Sequence, residues 1–374
     1  MEYPATLAFI FPSDTLGGHE MMSLKMIRLL REQKADVHCY VSRRNKRLIE
    51  KLAQAGVPVR LAGFYNSKLD HVFGYFNPWI LVNIYQLRLA KGPLVLVNGT
   101  AILNHATTLA AAFHAWLYGI RCSMYIPMLH TARELDLNPV KTHFYDASVR
   151  RALKSVSDIW TIDGVWSDRV MKVCSMCKTY VIRNFVEPAF PIAKRIPESD
   201  QAVALCFVGR IEKKHKGLDY LMGILQNIKT GKEILMHIVG DGSDLDWLKN
   251  ETLNARFRSR ISFRFHGWIS NPLQIVSSCD ALIISSRVEG VPLVVIESLM
   301  VGTPVFAFAI PGITGLVGNE FLASPFLVEE FAEKLNAFLQ NREGFRASRD
   351  LAEFTNASRF ERELNCAVSG VLQA

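Results

Sequence analysis

Two carboxylates, Glu289 and Glu297, lie on either side of a short turn and an apolar run, GVPLVVI. The pattern predicts a helix with Pro292 near its first position, where the N–H that proline lacks would have no partner within the helix. A helix start offers unpaired N–H groups and a partial positive charge, which suit a phosphate. Carboxylates accept hydrogen bonds from hydroxyls, as apolar side chains do not. The segment therefore predicts a diphosphate site flanked by a sugar and a ribose. The same residues also fit a structural role, with Glu289 stabilising the helix start and Glu297 at the surface.

The common nucleotide fingerprints are missing from the sequence. It contains no GxxxxGK[ST] motif, and the GDG at residues 240–242 lacks the third glycine of GxGxxG because position 245 is leucine. Both motifs work through glycines that let the backbone approach a phosphate. Their absence disfavours a P-loop nucleotidase and a simple dehydrogenase.

Two short motifs could suggest a metal, and we expect a metal at neither. Asp244 and Asp246 form a DxD, but the pair follows a strand and opens a helix, where Asp244 is expected as the N-cap. Cys174 and Cys177 form a CxxC with no second pair near it, which favours two thiols at a helix end over a metal or redox site. The seven scattered cysteines are typical of reduced thiols in a cytoplasmic protein.

Short apolar runs alternate with amphipathic stretches along most of the chain, which predicts the α/β class with doubly wound parallel sheets. A first series of strands begins with TLAFIF and a second with ALCFVGR, and the stretch at residues 181–201, rich in proline and charge, separates them. We therefore expect two domains, 1–185 and 186–355. A final helix at about 356–374 is expected to pack back onto the first domain. Ligands of such sheets bind at the carboxyl ends of the strands.

The composition fits folded domains, and the charge is uneven. The 374 residues are 49% hydrophobic and 21% charged, and the net charge is +8. Residues 1–185 carry 23 Lys and Arg against 13 Asp and Glu. A basic half fits an anionic membrane surface, a phosphorylated acceptor or a nucleic acid. The known nucleic-acid recognition modules are absent, so we expect no nucleic-acid partner.

We expect neither a transmembrane helix nor a signal peptide, because no run of eighteen uncharged apolar residues occurs and Glu2 precedes the first apolar stretch. The stretch at residues 77–90, NPWILVNIYQLRLA, could be an interfacial helix or part of the core. These features predict a cytoplasmic protein, with peripheral membrane contact as an option.

Glu289 and Glu297, with the SLMVGTPVFAFAIPGITGLV that follows, resemble the E-x7-E element of the retaining family 4 glycosyltransferases of the GT-B fold (glycosyl transferases group 1). Further similar segments occur in the same order along the chain: GGHE at 17–20, LHTARE at 129–134, VIRNFVEP at 181–188, FVGRIEKKHKGLDYLM at 207–222, IVGDGSDLDWL at 238–248 and FHGW at 265–268. The resemblance is strong over residues 207–317 and thin over the first domain.

The resemblance implies two Rossmann-like domains that face a central cleft, the first binding the acceptor and the second the donor. It implies transfer of a sugar from a nucleoside-diphosphate sugar to a hydroxyl of a glycan or lipid-linked acceptor, in cell-surface polysaccharide or lipopolysaccharide synthesis. It implies a metal-independent reaction with no cofactor beyond that co-substrate. A nucleotide-sugar epimerase and a non-catalytic nucleotide-sugar binder are the alternatives.

The resemblance also implies roles for individual residues. Arg210 and Lys216 would stabilise negative charge on the departing diphosphate, and Glu289 would contact the transferred sugar. His130 would touch the donor sugar, and Glu297 would hold the ribose. The remaining predicted donor-binding positions are Gly17, Gly18, Gly209, Gly240, Gly267, Trp268, Gly290, Val291, Pro292 and Leu293.

Overall fold

The chain folds into two compact units. Unit 1 comprises Met1–Phe185 and Asn356–Ala374, and unit 2 comprises Val186–Thr355. The computed structural model describes residues 6–62, 78–89, 92–98, 106–132, 138–187, 202–253, 260–341 and 351–373. No helix within these described ranges is long and apolar enough to cross a membrane.

The described part of unit 1 contains a seven-stranded parallel sheet in the order β3-β2-β1-β4-β5-β6-β7. Its strands are β1 (Leu7–Phe11), β2 (Val37–Ser42), β3 (Val59–Ala62), β4 (Leu94–Val97), β5 (Cys122–Tyr125), β6 (Asp158–Thr161) and β7 (Lys178–Val181). The described helices are α1 (Gly18–Glu32), α2 (Lys46–Gln54), α3 (Pro78–Leu89), α4 (Ala106–Leu117), α5 (Pro139–Lys154), α6 (Gly164–Val173) and, from the C-terminal segment, α14 (Ala357–Gln373).

The central strands β1 and β4 of the unit 1 sheet are buried on both faces, which is why they are apolar at every position. All five residues of β1 and all four of β4 are buried, whereas a half-exposed strand would alternate. The strand order reverses at β1, which pairs with β2 on one side and with β4 on the other. Such a reversal leaves a crevice at the carboxyl ends of the two strands, where ligands of open α/β sheets bind.

Unit 2 contains, among its described residues, a six-stranded parallel sheet in the order β10-β9-β8-β11-β12-β13. The strands are β8 (Ala202–Val208), β9 (Glu233–Val239), β10 (Ile261–Gly267), β11 (Ala281–Ile284), β12 (Val305–Phe308) and β13 (Leu322–Ala323). The helices are α7 (Lys213–Lys216), α8 (Leu218–Gln226), α9 (Leu245–Thr252), α10 (Leu273–Ser277), α11 (Leu293–Met300), α12 (Val328–Gln340) and α13 (Ala352–Thr355), with a 3-10 turn at Asn319–Phe321. The order reverses at β8, which lies between β9 and β11.

The α/β class with parallel sheets is confirmed, and the sequence-based strands are present. Two strands were not predicted. The first is β7, of which only Val181 falls in the stretch assigned to the linker, and the second, β13, has only two residues. The described residues 78–89 of the stretch considered as an interfacial helix form α3, whose Ile80 and Ile84 are buried while Val82 and Tyr85 are exposed.

The expectation of free thiols at the CxxC is wrong. The structure joins Cys174 and Cys177 in a disulfide. Cys174 caps the carboxyl end of α6, and the Cys177 N–H donates to its carbonyl at 3.1 Å, which closes a tight turn. The turn brings the two Cα atoms within 5.6 Å, a separation that a disulfide spans.

Candidate active site

The predicted donor site lies at the strand-order reversal of unit 2. The chain leaves β8 through Gly209 and Arg210, and it leaves β11 through Ser285 and Ser286. These strands are paired side by side, with Ala281 opposite Leu205, so their following loops start next to each other. The fold thereby brings together two segments that are about seventy positions apart in the chain.

Lys216 and Glu289 meet directly in this part of unit 2. The Lys216 Nζ lies 2.6 Å from the Glu289 Oε1. The Ser286 hydroxyl donates to the same oxygen at 2.6 Å. Glu289 is only 6% exposed. A buried carboxylate is stable only when it is paired and hydrogen-bonded, and this one has both partners on a single oxygen.

The backbone around Lys216 is held against the end of β11. The Ser285 hydroxyl donates to the Lys216 carbonyl at 2.9 Å. Gly217 follows at φ 59°, and a Cβ there would lie 2.1 Å from the Ser285 carbonyl oxygen. Only glycine permits this approach without strain. The turn therefore fixes where the Lys216 side chain starts.

Arg210 has a different environment from Lys216. Its Nη1 lies 3.6 Å from the Glu212 Oε2, and its side chain is 44% exposed. The Glu212 Oε1 is 3.0 Å from the His215 Nδ1. This hydrogen bond from His215, together with the nearby Arg210 charge, lowers the pKa of Glu212 below its ordinary value. Arg210 thus pairs with a residue of its own loop and is not part of the Lys216–Glu289 pair.

The helix α11 starts where the sequence predicts. Pro292 is its N-cap, the Val295 N–H donates to the Pro292 carbonyl at 3.1 Å, and Leu293 is the first helical residue. The first N–H groups of a helix have no acceptor within it. Glu289 precedes this start and Glu297 lies in the second turn, half-buried. The site thus combines a helix start with a paired carboxylate immediately before it.

Glycines let the strand-end loops of unit 2 pack tightly. A Cβ on Gly240 would lie 1.8 Å from the Gly209 carbonyl oxygen, and the Gly240 N–H donates to the Gly267 carbonyl at 2.8 Å. Gly312, at φ 87°, would place a Cβ 1.5 Å from the Gly290 carbonyl oxygen. The predicted donor-binding glycines 209, 240, 267 and 290 therefore lie along one edge of the sheet. Trp268 follows Gly267 and is partly exposed.

The DxD motif serves local structure. Asp244 takes the predicted N-cap position of α9, but its carboxylate accepts the backbone N–H of Lys213 at 2.7 Å and does not cap its own helix. Across the described ranges, no three or more His, Cys, Asp or Glu side chains are grouped as metal ligands would be.

In unit 1, the two predicted glycines form the start of α1, and Gly18 is its first residue. Gly17 is the N-cap, and its N–H donates to the Glu20 Oε2 at 2.7 Å. The Glu20 Oε1 lies 2.7 Å from the His19 Nε2. Burial alone would raise the pKa of Glu20, but the neighbouring His19 imidazole and the hydrogen bond from the Gly17 N–H outweigh burial and lower it. The loop is thus fixed by a buried carboxylate.

His130 follows β5 in unit 1 and is 3% exposed. The buried Tyr145 hydroxyl donates to the His130 carbonyl at 2.7 Å, so α5 holds the backbone at this position. His130 is one of the residues that line a cavity of about 510 Å³.

The sequence interpretation missed two side chains that act on the predicted site residues. Ser286 shares the Glu289 oxygen with Lys216, and Glu20 anchors the Gly17 turn. Signals for both were present: a hydroxyl three positions before Glu289, and a glutamate three positions after the N-cap glycine, where a capping-box acid lies.

Comparison with known proteins gives matches over different parts of the chain. Residues 190–356 match the family described as glycosyl transferases group 1. The chain is 27% identical over 149 residues to the lipopolysaccharide 1,6-galactosyltransferase of Salmonella typhimurium, covering 37% of this chain and 40% of that protein. It is 29% identical over 143 residues to the lipopolysaccharide core biosynthesis glycosyltransferase LpsD of Rhizobium meliloti, covering 37% and 40%. The match thus spans two fifths of the length of these curated relatives.

Solved structures resemble the whole chain. Anabaena HepE, crystallised with UDP and glucose, superposes with a TM-score of 0.76 and 16% identity over 98% of this chain and 99% of that one. At this identity the likeness shows the fold, which is the GT-B fold of two parallel-sheet α/β domains. Residues 190–356 are therefore similar to the glycosyl transferases group 1 family, in a chain that has the GT-B fold.

Proposed function

We propose that this chain is a retaining glycosyltransferase. It transfers a sugar from a nucleoside-diphosphate sugar to a hydroxyl of a glycan or lipid-linked acceptor, in the synthesis of a cell-surface polysaccharide or lipopolysaccharide. The proposal depends on the cluster of Lys216, Ser286 and Glu289 at the strand-order reversal. Ser286 and Glu289 belong to the loop that leads into α11. A cation, a helix start and a buried carboxylate together suit a reaction that separates a diphosphate from a sugar.

In the proposed reaction, the bond between the anomeric carbon and the diphosphate oxygen breaks, and the diphosphate keeps the electron pair. The α11 start and the Lys216 ammonium stabilise the negative charge that develops there. Glu289 lies beside the sugar and stabilises its positive charge. The acceptor oxygen attacks from the face that the diphosphate leaves, and the acceptor proton passes to a phosphate oxygen. The new bond therefore keeps the anomeric configuration.

Lys216 would exchange partners during this reaction. Without a donor its ammonium pairs with Glu289. A bound diphosphate offers more negative charge, so Lys216 would turn towards the diphosphate and release the Glu289 oxygen to the sugar. Ser286 would keep the carboxylate in place throughout. In the same proposal Arg210 meets the diphosphate and Glu297 the ribose, and no metal takes part.

The relatives support the substrate class. The matched proteins of Salmonella typhimurium and Rhizobium meliloti are named as lipopolysaccharide glycosyltransferases, and Anabaena HepE is described in complex with UDP and glucose. We extend this substrate class to this chain as a proposal. We also propose a cytoplasmic location with peripheral contact to an anionic membrane, because residues 1–185 are basic.

The proposal is tested by incubating the purified chain with a panel of nucleoside-diphosphate sugars, with water as the acceptor of the sugar, and measuring released nucleoside diphosphate. One donor should be turned over, and Glu289→Gln should slow release by about a hundredfold, as loss of a group that stabilises developing charge does. Glu333→Gln changes an exposed glutamate on α12 and serves as the matched control. Wild-type turnover in Glu289→Gln would overturn the role of Glu289. Conversion of a donor sugar to its epimer without transfer would favour the epimerase.

A further inference from the structure

Unit 1 contains a cavity that the assignments above do not explain. It has a volume of about 510 Å³, within the range typical of small-molecule sites. Its walls come from the segment after β5, one face of α5 and one face of α6. A second hollow of about 340 Å³ shares Asp146 and Arg150 with it and extends along α5. Together they are large enough for a phosphorylated sugar or a lipid headgroup.

The charged residues in the wall are mostly cationic. Arg150, Arg169 and Lys172 face the cavity from two helices, and Asp146 is the one carboxylate among the described lining residues. Arg150 and Lys172 are exposed and have no salt-bridge partner within the part of the chain that the structure describes. Three cations against one carboxylate leave a positive charge that attracts an anion. The described wall thus carries a surplus of positive charge.

Arg169 is held in a fixed position. Its guanidinium stacks over the Trp166 ring, 4.6 Å from the ring centre, and its Nη1 donates to the Leu129 carbonyl at 3.4 Å. Trp166 is buried and cannot move away easily. A guanidinium that is already oriented loses little freedom when it binds, and its planar fork matches the oxygens of a phosphate.

The scaffold of the cavity is fixed as well. The start of α5 is capped by the Asn138 side chain, which accepts the Lys141 N–H at 2.9 Å. The start of α6 is capped by Asp163, which accepts the Val165 N–H at 2.8 Å. Tyr145, on the cavity face of α5, holds the backbone of His130. The cations therefore project from two helices whose starts and packing are defined.

We propose that this cavity binds a phosphate ester, with Arg150, Arg169 and Lys172 as its ligands. A role for that ester as part of the acceptor rests on the proposed glycosyl transfer, because His130, the residue expected to touch the donor sugar, forms part of the same wall. The ester has two sources, a soluble phosphorylated sugar or polyol and the headgroup of an anionic lipid. Val173, an exposed apolar residue of α6, is one of the lining residues, and a lipid could contact it there.

The test uses the full chain and two double variants of equal net charge. Arg150→Gln/Lys172→Gln removes two exposed cations from the cavity. Arg151→Gln/Lys154→Gln removes two exposed cations from α5 outside the cavity. Circular dichroism establishes that both are folded. Glycerol phosphate binding is measured by calorimetry, and sedimentation measures binding to vesicles of phosphatidylcholine with and without phosphatidylglycerol.

Binding should weaken by about tenfold or more in the cavity variant, as loss of charge-assisted hydrogen bonds implies, and should be nearly unchanged in the control variant. This pattern with glycerol phosphate assigns a soluble ester, and the same pattern with vesicles alone assigns a lipid headgroup. Equal losses in the two variants, or no binding in either assay, would overturn the site. Neither assay uses a nucleotide sugar, so a failure here is separate from a failure of the proposed transfer reaction.

Discussion

At the scale of single residues, the main finding is that Lys216 and Glu289 neutralise each other. Lys216 is predicted to stabilise an anion and Glu289 a cation. In the folded chain the Lys216 Nζ lies 2.6 Å from the Glu289 Oε1. A buried carboxylate needs a cation or a hydrogen-bond donor beside it, and Lys216 supplies one before a ligand arrives. The structure thus shows why a lysine and a glutamate occur side by side at this site.

The Lys216 ammonium should be needed for turnover. We expect Lys216→Ala to lower kcat. The transition state should lose roughly 2–4 kcal/mol of stabilisation, as it does when a donor at a site of developing charge is removed. Steady-state kinetics with the identified donor measures this effect. Lys214→Ala, an exposed neighbour in the same short helix, is the control. Equal kcat values for the two variants would remove Lys216 from the reaction.

Glu20 should make stability depend on pH. Its folded-state pKa is lowered, so the ionised form contributes stability above the unfolded value of about 4.5, and that contribution is lost as the pH falls through the folded-state pKa. Glu20→Gln should lower stability at pH 7 by about 1–3 kcal/mol, as weakening a buried charged hydrogen bond does, and should flatten the dependence below about pH 4.5. Urea unfolding from pH 3 to pH 8 measures both effects.

Glu32→Gln, at the exposed end of the same helix, should leave the pH dependence unchanged. If Glu20→Gln and Glu32→Gln gave the same profile, Glu20 would have no special role in fixing the Gly17 turn.

At the scale of elements, the site depends on how closely strand-end loops approach one another. Gly217, Gly240 and Gly312 each lie where a Cβ would meet a backbone carbonyl oxygen at 2.1 Å or less. Because backbone cannot move aside as a flexible side chain can, these positions set the spacing of the loops around Lys216 and Glu289. The sequence revealed the glycines, but which loops they bring together follows from the order of the strands.

Gly312→Ala should disturb the loop that carries Glu289. A Cβ there would lie 1.5 Å from the Gly290 carbonyl oxygen, and φ is 87°. Gly302→Ala is the control, since φ is 74° but nothing lies within 4 Å of its added Cβ. Backbone strain alone should lower the free energy of unfolding by about 1–2 kcal/mol in both variants. Gly312→Ala should lower it further and should also weaken donor binding. Thermal unfolding and donor titration measure the two effects, and equal losses in the variants would contradict the close-approach argument.

At the scale of the whole molecule, the C-terminal helix returns to unit 1. α14 packs against β6 and β7, the Arg121 Nη1 donates to the Val371 carbonyl at 3.0 Å, and Arg183 is ion-paired with Glu363. Its apolar residues Leu364 and Val368 are fully buried. The helix α14 thus contributes to the core of unit 1.

Removing a buried side chain of α14 should therefore destabilise unit 1 and leave unit 2 unaffected. Leu364→Ala should cost about 2–5 kcal/mol, the usual range for a buried leucine. Hydrogen exchange should speed up in Asp158–Thr161 and Lys178–Val181 of unit 1, and Ala281–Ile284 of unit 2 should keep its protection. Uniform loss of protection across both units would show that they do not respond separately.

Much of this architecture could be predicted because buried parallel strands leave nearly continuous apolar runs, as in LAFIF and ALII. β7 was missed because none of its residues is fully buried and a proline-rich stretch follows it soon after. The direct contact between Lys216 and Glu289 was not predicted, because Lys216 was expected to bind the diphosphate and Glu289 the sugar. The disulfide depends on the turn after α6, which the CxxC spacing alone does not fix.

The central claim is that a diphosphate binds at the start of α11 and takes Lys216 from Glu289. A crystal structure of the chain with a nucleoside diphosphate tests it most directly. We predict a phosphate oxygen at about 3 Å from the Leu293 or Val294 N–H and from the Lys216 Nζ, with the Lys216–Glu289 contact opened. A diphosphate bound elsewhere, with the 2.6 Å contact between Lys216 and Glu289 intact, would contradict the account.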